Sequence, residues 1–185
     1  MPLSGAQWAA SFPTSTSTND LQAGFRASVN RFLGALTAAG ASYSISATLR
    51  PPERAYLMHW SWRIAREHYD AQQVPAMAGV DIQWAHTRRD GSFDETASRT
   101  AAQAMVAAYG IVYRPALTSR HTEGRAIDMD ISWNGTLAIV GANGQSVSIA
   151  ATPRNGDNAE LQAVAAGYGV QKLATDPPHW SDDGH

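Results

Sequence analysis

The alternation of hydrophobic and polar positions predicts helices in the first half of this chain and short strands in the second. From Leu21 onward, apolar residues recur at helical spacing, which predicts a helix that begins near residues 17–19 and ends at Gly40. Residues 42–49 alternate apolar and polar side chains, as a half-buried strand does. Prolines then precede a second, largely apolar helix that extends to Arg66 or His68.

The remaining pattern predicts one long helix and a small sheet. Ser92 and Glu95 fit a capping box at the start of an alanine-rich helix that ends at Gly110. The rest of the chain is predicted to form a strand over 125–133, a hairpin over 137–140 and 146–150, a short helix over 158–166 and a last strand over 170–174. Helices followed by a small antiparallel sheet indicate an α+β fold.

The length and charge of the chain narrow its function classes. We expect residues 1–185 to form a single domain, with residues 1–19 as a loosely ordered lead-in. The net charge of −2, from 14 basic and 16 acidic residues, argues against nucleic acid as the main partner. The N-terminus shows neither a signal peptide nor an apolar run long enough to span a membrane.

Two stretches, residues 119–128 and 176–180, carry the candidate chemistry. Apart from Glu123, which the turn points toward solvent, they contain two histidines, one carboxylate ligand and one further carboxylate. This is the inventory of a catalytic zinc site with an open position for water. A structural zinc site usually closes the fourth position with a thiolate or another histidine, and this chain has no cysteine. The alternative interpretation is an exposed turn that contains an unrelated histidine.

The order of residues around the first stretch predicts how it folds. His121 precedes a strand, and Gly124 permits the tight turn between them. Because side chains alternate along a strand, Asp128 and Asp130 share the face opposite the core and point toward a cleft, where Asp130 orients a ligand or lines the wall. Asp176 is placed to act as general base on the metal-bound water, or alternatively to cap a turn before the prolines.

These residues resemble the motifs of a known family. The matching pattern is Ser119-x-His121-x-x-Gly124-x-Ala126-x-Asp128, followed by Asp176-x-x-His179. It is similar to the zinc D-Ala-D-Ala carboxypeptidase and L-alanyl-D-glutamate endopeptidase family, which includes vancomycin-resistance dipeptidases and phage endolysins. The Asp-x-x-His form looks more like the endolysin branch, and the resemblance extends over roughly residues 20–182.

The resemblance implies a role for each matching residue. His121, Asp128 and His179 become the ligands of one Zn²⁺ ion, and Asp176 becomes the catalytic carboxylate. Relatives carry a substrate-binding arginine after the first strand. Arg50 occupies that place, with Arg54 as the alternative. Ser119 matches the serine of the motif, which contacts the substrate or supports a ligand.

We therefore expect a zinc metallopeptidase in which a small sheet carries the zinc site in a cleft. The expected substrate is a peptide bond in bacterial peptidoglycan stem peptides, cut by an endopeptidase or a D-Ala carboxypeptidase. The alternatives are a D,D-dipeptidase that acts on free dipeptides and a non-catalytic, zinc-containing module that binds the cell wall. We expect a monomer that is made in the cytoplasm and reaches the wall through a pore or a secretion system.

Overall fold

The computed structural model describes residues 1–185 and divides the chain into two compact units. The helical unit consists of Met1–Pro13 and Pro51–Ser119, and the sheet unit consists of Thr14–Arg50 and Arg120–His185. Each unit is built from two separate stretches, and the expected single domain over residues 1–185 stays a prediction. No helix is both long and apolar enough to cross a membrane.

The helices and strands confirm the α+β fold. In chain order they are α1 (Ala23–Ala38), β1 (Ser42–Ala47), α2 (Pro52–Arg66), α3 (Glu95–Tyr109), β2 (Ala126–Ser132), β3 (Leu137–Val140), β4 (Ser146–Ile149), α4 (Ala159–Gly167), β5 (Gln171–Lys172) and β6 (His179–Ser181). The main sheet has the order β1-β2-β6-β5 with antiparallel neighbours, and β3 and β4 form a separate hairpin.

The helical unit is built around α2 and α3. Pro52 stands in the first turn of α2, where its missing N–H group has no helical partner to lose. The buried side chains of this unit form one cluster: Tyr56, Leu57, Trp60, Ile64, Ala65, Ala71, Val80, Ile82, Trp84, Ala102, Met105 and Val106. Burying a large apolar side chain contributes about 1.5–3 kcal/mol, so this cluster supplies a core for the unit.

The start of α3 differs from the capping box predicted at Ser92. The N-cap is Asp94, whose side chain accepts a hydrogen bond from the backbone N–H of Ala97. Ser92 lies in a turn before the helix, where its N–H and hydroxyl both donate to Asp90. The helix ends at Gly110 in the left-handed conformation, as the sequence predicted.

The sheet unit buries the predicted face of β2. Ile127, Met129 and Ile131 are buried, which confirms that they form the core face. They pack with buried residues of α1, the hairpin, α4 and β6, among them Phe25, Val29, Phe32, Leu36, Leu137, Ile139, Ile149, Leu161 and Trp180. The opposite face of β2 therefore carries its polar residues away from this core.

Two segments of the sheet unit depart from the sequence patterns. The strand predicted over 170–174 is only the two-residue β5, and the chain then forms β6, which the sequence did not predict. Ser15, within the expected lead-in, exchanges backbone hydrogen bonds with Thr48 and Leu49. This segment is therefore attached to the chain directly after β1.

Candidate metal centre

Neighbouring strands bring Asp128 and His179 together. Asp128 lies in β2 and pairs with His179 of β6 in the antiparallel register. Side chains of residues directly opposite in such a pair have Cβ atoms about 4.5–5.5 Å apart, so a carboxylate and an imidazole can meet above the sheet. The Asp128 carboxylate Oδ1 lies 3.1 Å from His179 Nδ1.

His121 joins this pair from the turn before β2. Its Nε2 lies 3.0 Å from Asp128 Oδ1 and 3.1 Å from His179 Nδ1. Gly124 reverses the chain with a φ of +68°, and a Cβ atom there would lie 3.0 Å from the backbone nitrogen of Gln22. A glycine is therefore required at this position, both for its conformation and for the close approach of the neighbouring chain.

The end of β1 fixes the orientation of His121. Its Nδ1 lies 2.7 Å from the carbonyl oxygen of Thr48, which can only accept, so Nδ1 carries the proton and donates. The backbone N–H of Arg50 in turn donates to the carbonyl of His121 at 3.0 Å. The Nε2 of the same ring consequently faces Asp128 and His179.

The backbone that follows β6 orients His179, and in this ring the two nitrogens exchange the roles that they have in His121. Its Nε2 lies 3.1 Å from the main-chain oxygen of His185, which can only accept, so Nε2 carries a proton and Nδ1 is the nitrogen that faces Asp128. Both imidazoles thus use one nitrogen to donate to a carbonyl and aim the other at Asp128. Hydrogen bonds of this kind fix the tautomer of histidines that bind metal ions.

Three acceptor atoms therefore converge on one point. His121 Nε2, Asp128 Oδ1 and His179 Nδ1 lie 3.0–3.1 Å apart, and the two histidines are buried. Without a metal ion, a proton on an imidazole nitrogen links it to Asp128, and a bound ion would take the place of such a proton. A tetrahedral zinc ion with bonds of about 2.0–2.1 Å would hold its ligand atoms about 3.3 Å apart. The cluster can therefore hold a metal ion.

The contacts within the cluster shift the pKa values of Asp128 and His179 in opposite directions. Burial by itself raises the pKa of Asp128, but its contacts with His121 and His179 outweigh burial and hold the pKa well below its usual range. Burial lowers the pKa of His179, and the contacts with Asp128 and the His185 carbonyl reverse this and raise it. An ionised carboxylate between two imidazoles is thus the stable state of the site.

The donor set belongs to a limited group of metal ions. Two imidazole nitrogens and one carboxylate oxygen suit zinc and its first-row neighbours better than calcium or magnesium, which prefer oxygen ligands. The cluster contains only these three residues, and Asp176 does not belong to it. Three protein ligands leave at least one coordination position for water or substrate.

Asp176 is exposed on the turn that leads into His179. Its carbonyl accepts hydrogen bonds from the backbone N–H of His179 at 3.0 Å and from Nζ of Lys172 at 2.7 Å. The Asp176 charge also helps to raise the pKa of His179, which lies three residues away. The structure therefore places Asp176 in the turn that precedes His179 and outside the ligand set.

The other predicted site residues occupy different positions. Arg50 is half-buried and contacts the turn of His121 through its backbone N–H. Ser119 is half-buried and is the last residue of the helical unit. Asp130 lies two residues beyond Asp128 on β2, is exposed and pairs with Ser44 of β1, so it does not belong to the cluster.

Sequence reasoning missed the groups that orient the histidines. These are the carbonyl oxygens of Thr48 and His185, and every residue has a carbonyl, so no residue type could have indicated them. The sequence did contain one usable sign, because Arg120 lies inside the first motif and Asp182 and Asp183 follow the second. Their opposite charges form ion pairs in the structure.

Comparison with known proteins adds no further identification. The sequence matches no protein-family model and no curated protein. The chemistry of this centre therefore rests on its own residues.

Proposed function

We propose that this chain is a zinc metallopeptidase that hydrolyses a peptide bond in bacterial peptidoglycan stem peptides. The observation that carries the proposal is the convergence of three acceptor atoms, from His121, Asp128 and His179, beside the carboxylate-bearing turn of Asp176. The substrate class is supported by the resemblance of the two motifs to cell-wall peptidases. The Asp-x-x-His sequence also fits a division of roles, in which His179 binds the metal ion and Asp176 moves a proton.

The ligand residues would hold a single zinc ion. When bound, zinc lowers the pKa of a coordinated water to about 7 and polarises the carbonyl of the scissile bond. The ring nitrogens of His121 and His179 that would bind the ion are already oriented, because the other nitrogen of each ring contacts a main-chain oxygen. No side-chain rotation is therefore needed to bind the ion. This preorganisation reduces the free energy that binding would otherwise spend on ordering the ligands.

Asp176 acts as the general base in this proposal. Its carboxylate is exposed, so it can reach a water molecule, and its turn is held by Lys172 and by the backbone of His179. Asp176 takes a proton from the attacking water and then passes it to the leaving amine. A positioned base of this kind contributes about 10²–10⁴-fold to the rate.

Arg50 is proposed to bind the substrate and stabilise the negative charge that develops on the carbonyl oxygen. Its backbone N–H donates to the carbonyl of His121, so the residue is attached to the ligand turn itself. A single donor to an oxyanion typically contributes about 10²–10³-fold to kcat. Arg50→Ala should therefore lower hydrolysis while leaving the three ligand residues in place.

The direct experiment measures zinc binding and hydrolysis of purified sacculi in parallel. Asp176→Asn should retain zinc and lose about 10²–10⁴-fold in the rate of hydrolysis. Asp157→Asn is the matched control, because Asp157 is also an exposed carboxylate whose charge acts on Lys172, yet it lies outside the turn of His179. Full activity in Asp176→Asn would overturn the assignment of the base.

The choice of substrate separates the proposal from its alternatives. Turbidity of sacculi should fall with the wild-type protein, stop falling when a chelator is added, and fall again after zinc is restored. Hydrolysis of free D-Ala-D-Ala without any effect on sacculi would instead identify a dipeptidase. Zinc binding without hydrolysis of either substrate would identify a binding module, and mass spectrometry of released fragments identifies the bond.

A further inference from the structure

The backbone after β6 folds back onto the second histidine ligand. Gly184 adopts a φ of +82°, a conformation that reverses the chain and that L side chains rarely adopt. The N–H groups of Gly184 and His185 donate to Ser181 Oγ at 2.8 and 3.0 Å. The His185 carbonyl is thereby directed to His179 Nε2, 3.1 Å away. We call residues Asp182–His185 the return segment.

Arg120 holds this return segment through its side chain. Its guanidinium forms an ion pair with Asp183 through Nη2 and lies 3.6 Å from Asp182 through Nε. Asp183 Oδ1 also accepts a hydrogen bond from the backbone N–H of His185 at 3.2 Å. One arginine is thus connected, through a single carboxylate, to the residue whose carbonyl orients His179.

The backbone of Arg120 belongs to the turn of the first histidine ligand. Its carbonyl accepts a hydrogen bond from the N–H of Arg125 at 2.7 Å, which closes the turn that contains His121. The same residue therefore contacts the turn of His121 by its main chain and the support of His179 by its side chain. The two imidazole rings themselves have centroids 4.9 Å apart.

We propose that Arg120 is a positioning residue for the metal centre, which holds the imidazole of His179 in its orientation through Asp183 and the return segment. Its physical role is to balance charge. Without the guanidinium, Asp183 loses its ion pair, whereas Asp182 keeps its contact with Arg125 at 3.6 Å and Ser181 keeps its bonds to the two N–H groups. The return segment then loses one of its anchors, and the main-chain oxygen of His185 orients His179 Nε2 less firmly. This inference rests on the proposed metal centre and does not depend on peptidase activity.

The test compares the zinc affinity of matched variants of the whole chain. Arg120→Gln removes the charge, Asp183→Asn removes the partner, and Arg120→Lys keeps a charge without the planar fork. Glu123→Gln is the matched control, because Glu123 pairs with the same guanidinium at 2.8 Å but lies outside the return segment. Competition with a chromogenic chelator gives the zinc affinity, and circular dichroism shows whether each variant folds.

The expected results separate a positioning role from a general structural one. Arg120→Gln and Asp183→Asn should each bind zinc about tenfold more weakly, at the lower end of the ~10–100-fold range for groups that support a metal ligand. Arg120→Lys should restore part of the affinity, and Glu123→Gln should match the wild type.

The opposite result would overturn the proposal. If Arg120→Gln and Asp183→Asn both keep the wild-type zinc affinity, Arg120 does not position His179. If Arg120→Gln fails to fold by circular dichroism, Asp183→Asn decides the question, since it retains the guanidinium. A wild-type protein that binds no zinc would refute both the proposed function and this inference, whereas zinc binding without hydrolysis would refute only the peptidase proposal.

Discussion

If the cluster binds zinc as proposed, removal of its one carboxylate, Asp128, should nearly abolish the stabilisation that zinc gives. Asp128 Oδ1 contacts both imidazole nitrogens at 3.0 and 3.1 Å, so Asp128→Asn changes the charge at the centre of the cluster without changing its size. Loss of a direct ligand should cost at least the ~100-fold that marks the upper end for supporting groups. Each tenfold change corresponds to about 1.4 kcal/mol, so the loss is at least about 2.8 kcal/mol of binding free energy.

This loss of affinity can be read from thermal unfolding. Zinc at 100 times the wild-type Kd stabilises the folded state by about 2.7 kcal/mol, whereas a Kd weakened ~100-fold leaves about 0.4 kcal/mol at the same concentration. At about 2–4 °C per kcal/mol for a chain of this size, zinc should raise the wild-type Tm by about 5–11 °C and that of Asp128→Asn by about 1–2 °C.

The assay is differential scanning fluorimetry with and without zinc at that fixed concentration. Asp130→Asn is the matched control, because Asp130 lies on the same strand and face as Asp128 but outside the cluster. It should keep the full zinc-dependent rise. A full rise in Asp128→Asn, or its loss in Asp130→Asn, would refute the assignment of the ligand on this strand.

Three further predictions test the turn of the site, a helix cap and a buried phenol. Gly124→Ala should cost about 1–3 kcal/mol in urea denaturation, because the residue has a φ of +68° and little space for a Cβ atom. An unchanged urea midpoint in Gly124→Ala would contradict the expected backbone strain at this position. Asp94→Ala should cost about 1 kcal/mol and Ser92→Ala less than about 0.5 kcal/mol, since Asp94 is the cap. A larger loss of stability for Ser92→Ala than for Asp94→Ala would instead support the capping box predicted at Ser92. Burial raises the pKa of Tyr109 to about 12, with the Arg54 charge opposing it. Because an unfolded tyrosine titrates near 10, the unfolded chain loses its proton first, and stability should fall as the pH rises from about 10 to 12. The urea midpoint of Tyr109→Phe should fall less over that range than the midpoint of the wild type. An equal fall with pH in both proteins would contradict the raised pKa of Tyr109.

The helices and the core face of β2 could be predicted because burial imposes a period on the sequence. In α1 the residues that pack into the core recur at helical spacing, and in β2 the buried Ile127, Met129 and Ile131 alternate with other side chains. Helix ends were less predictable, since a cap depends on which side chain accepts one hydrogen bond. At α3, Asp94 caps the helix and Ser92 bonds to Asp90.

The strand that contains His179 could not be predicted because it is too short to show a period. β6 has three residues, all buried, and it follows two prolines that indicate a turn. Its existence depends on pairing with β2 on one side and β5 on the other. Only those long-range backbone hydrogen bonds place His179 directly opposite Asp128.

The sequence by itself determined which side chains are suited to bind a metal, because their chemical types and the glycine between them are visible in the two motifs. Tertiary structure decided that His121, Asp128 and His179 meet, and which nitrogen of each ring faces the centre of the cluster. The main-chain oxygens of Thr48 and His185 make that choice. They come from distant or irregular backbone, and a main-chain oxygen has no residue type that a sequence could reveal.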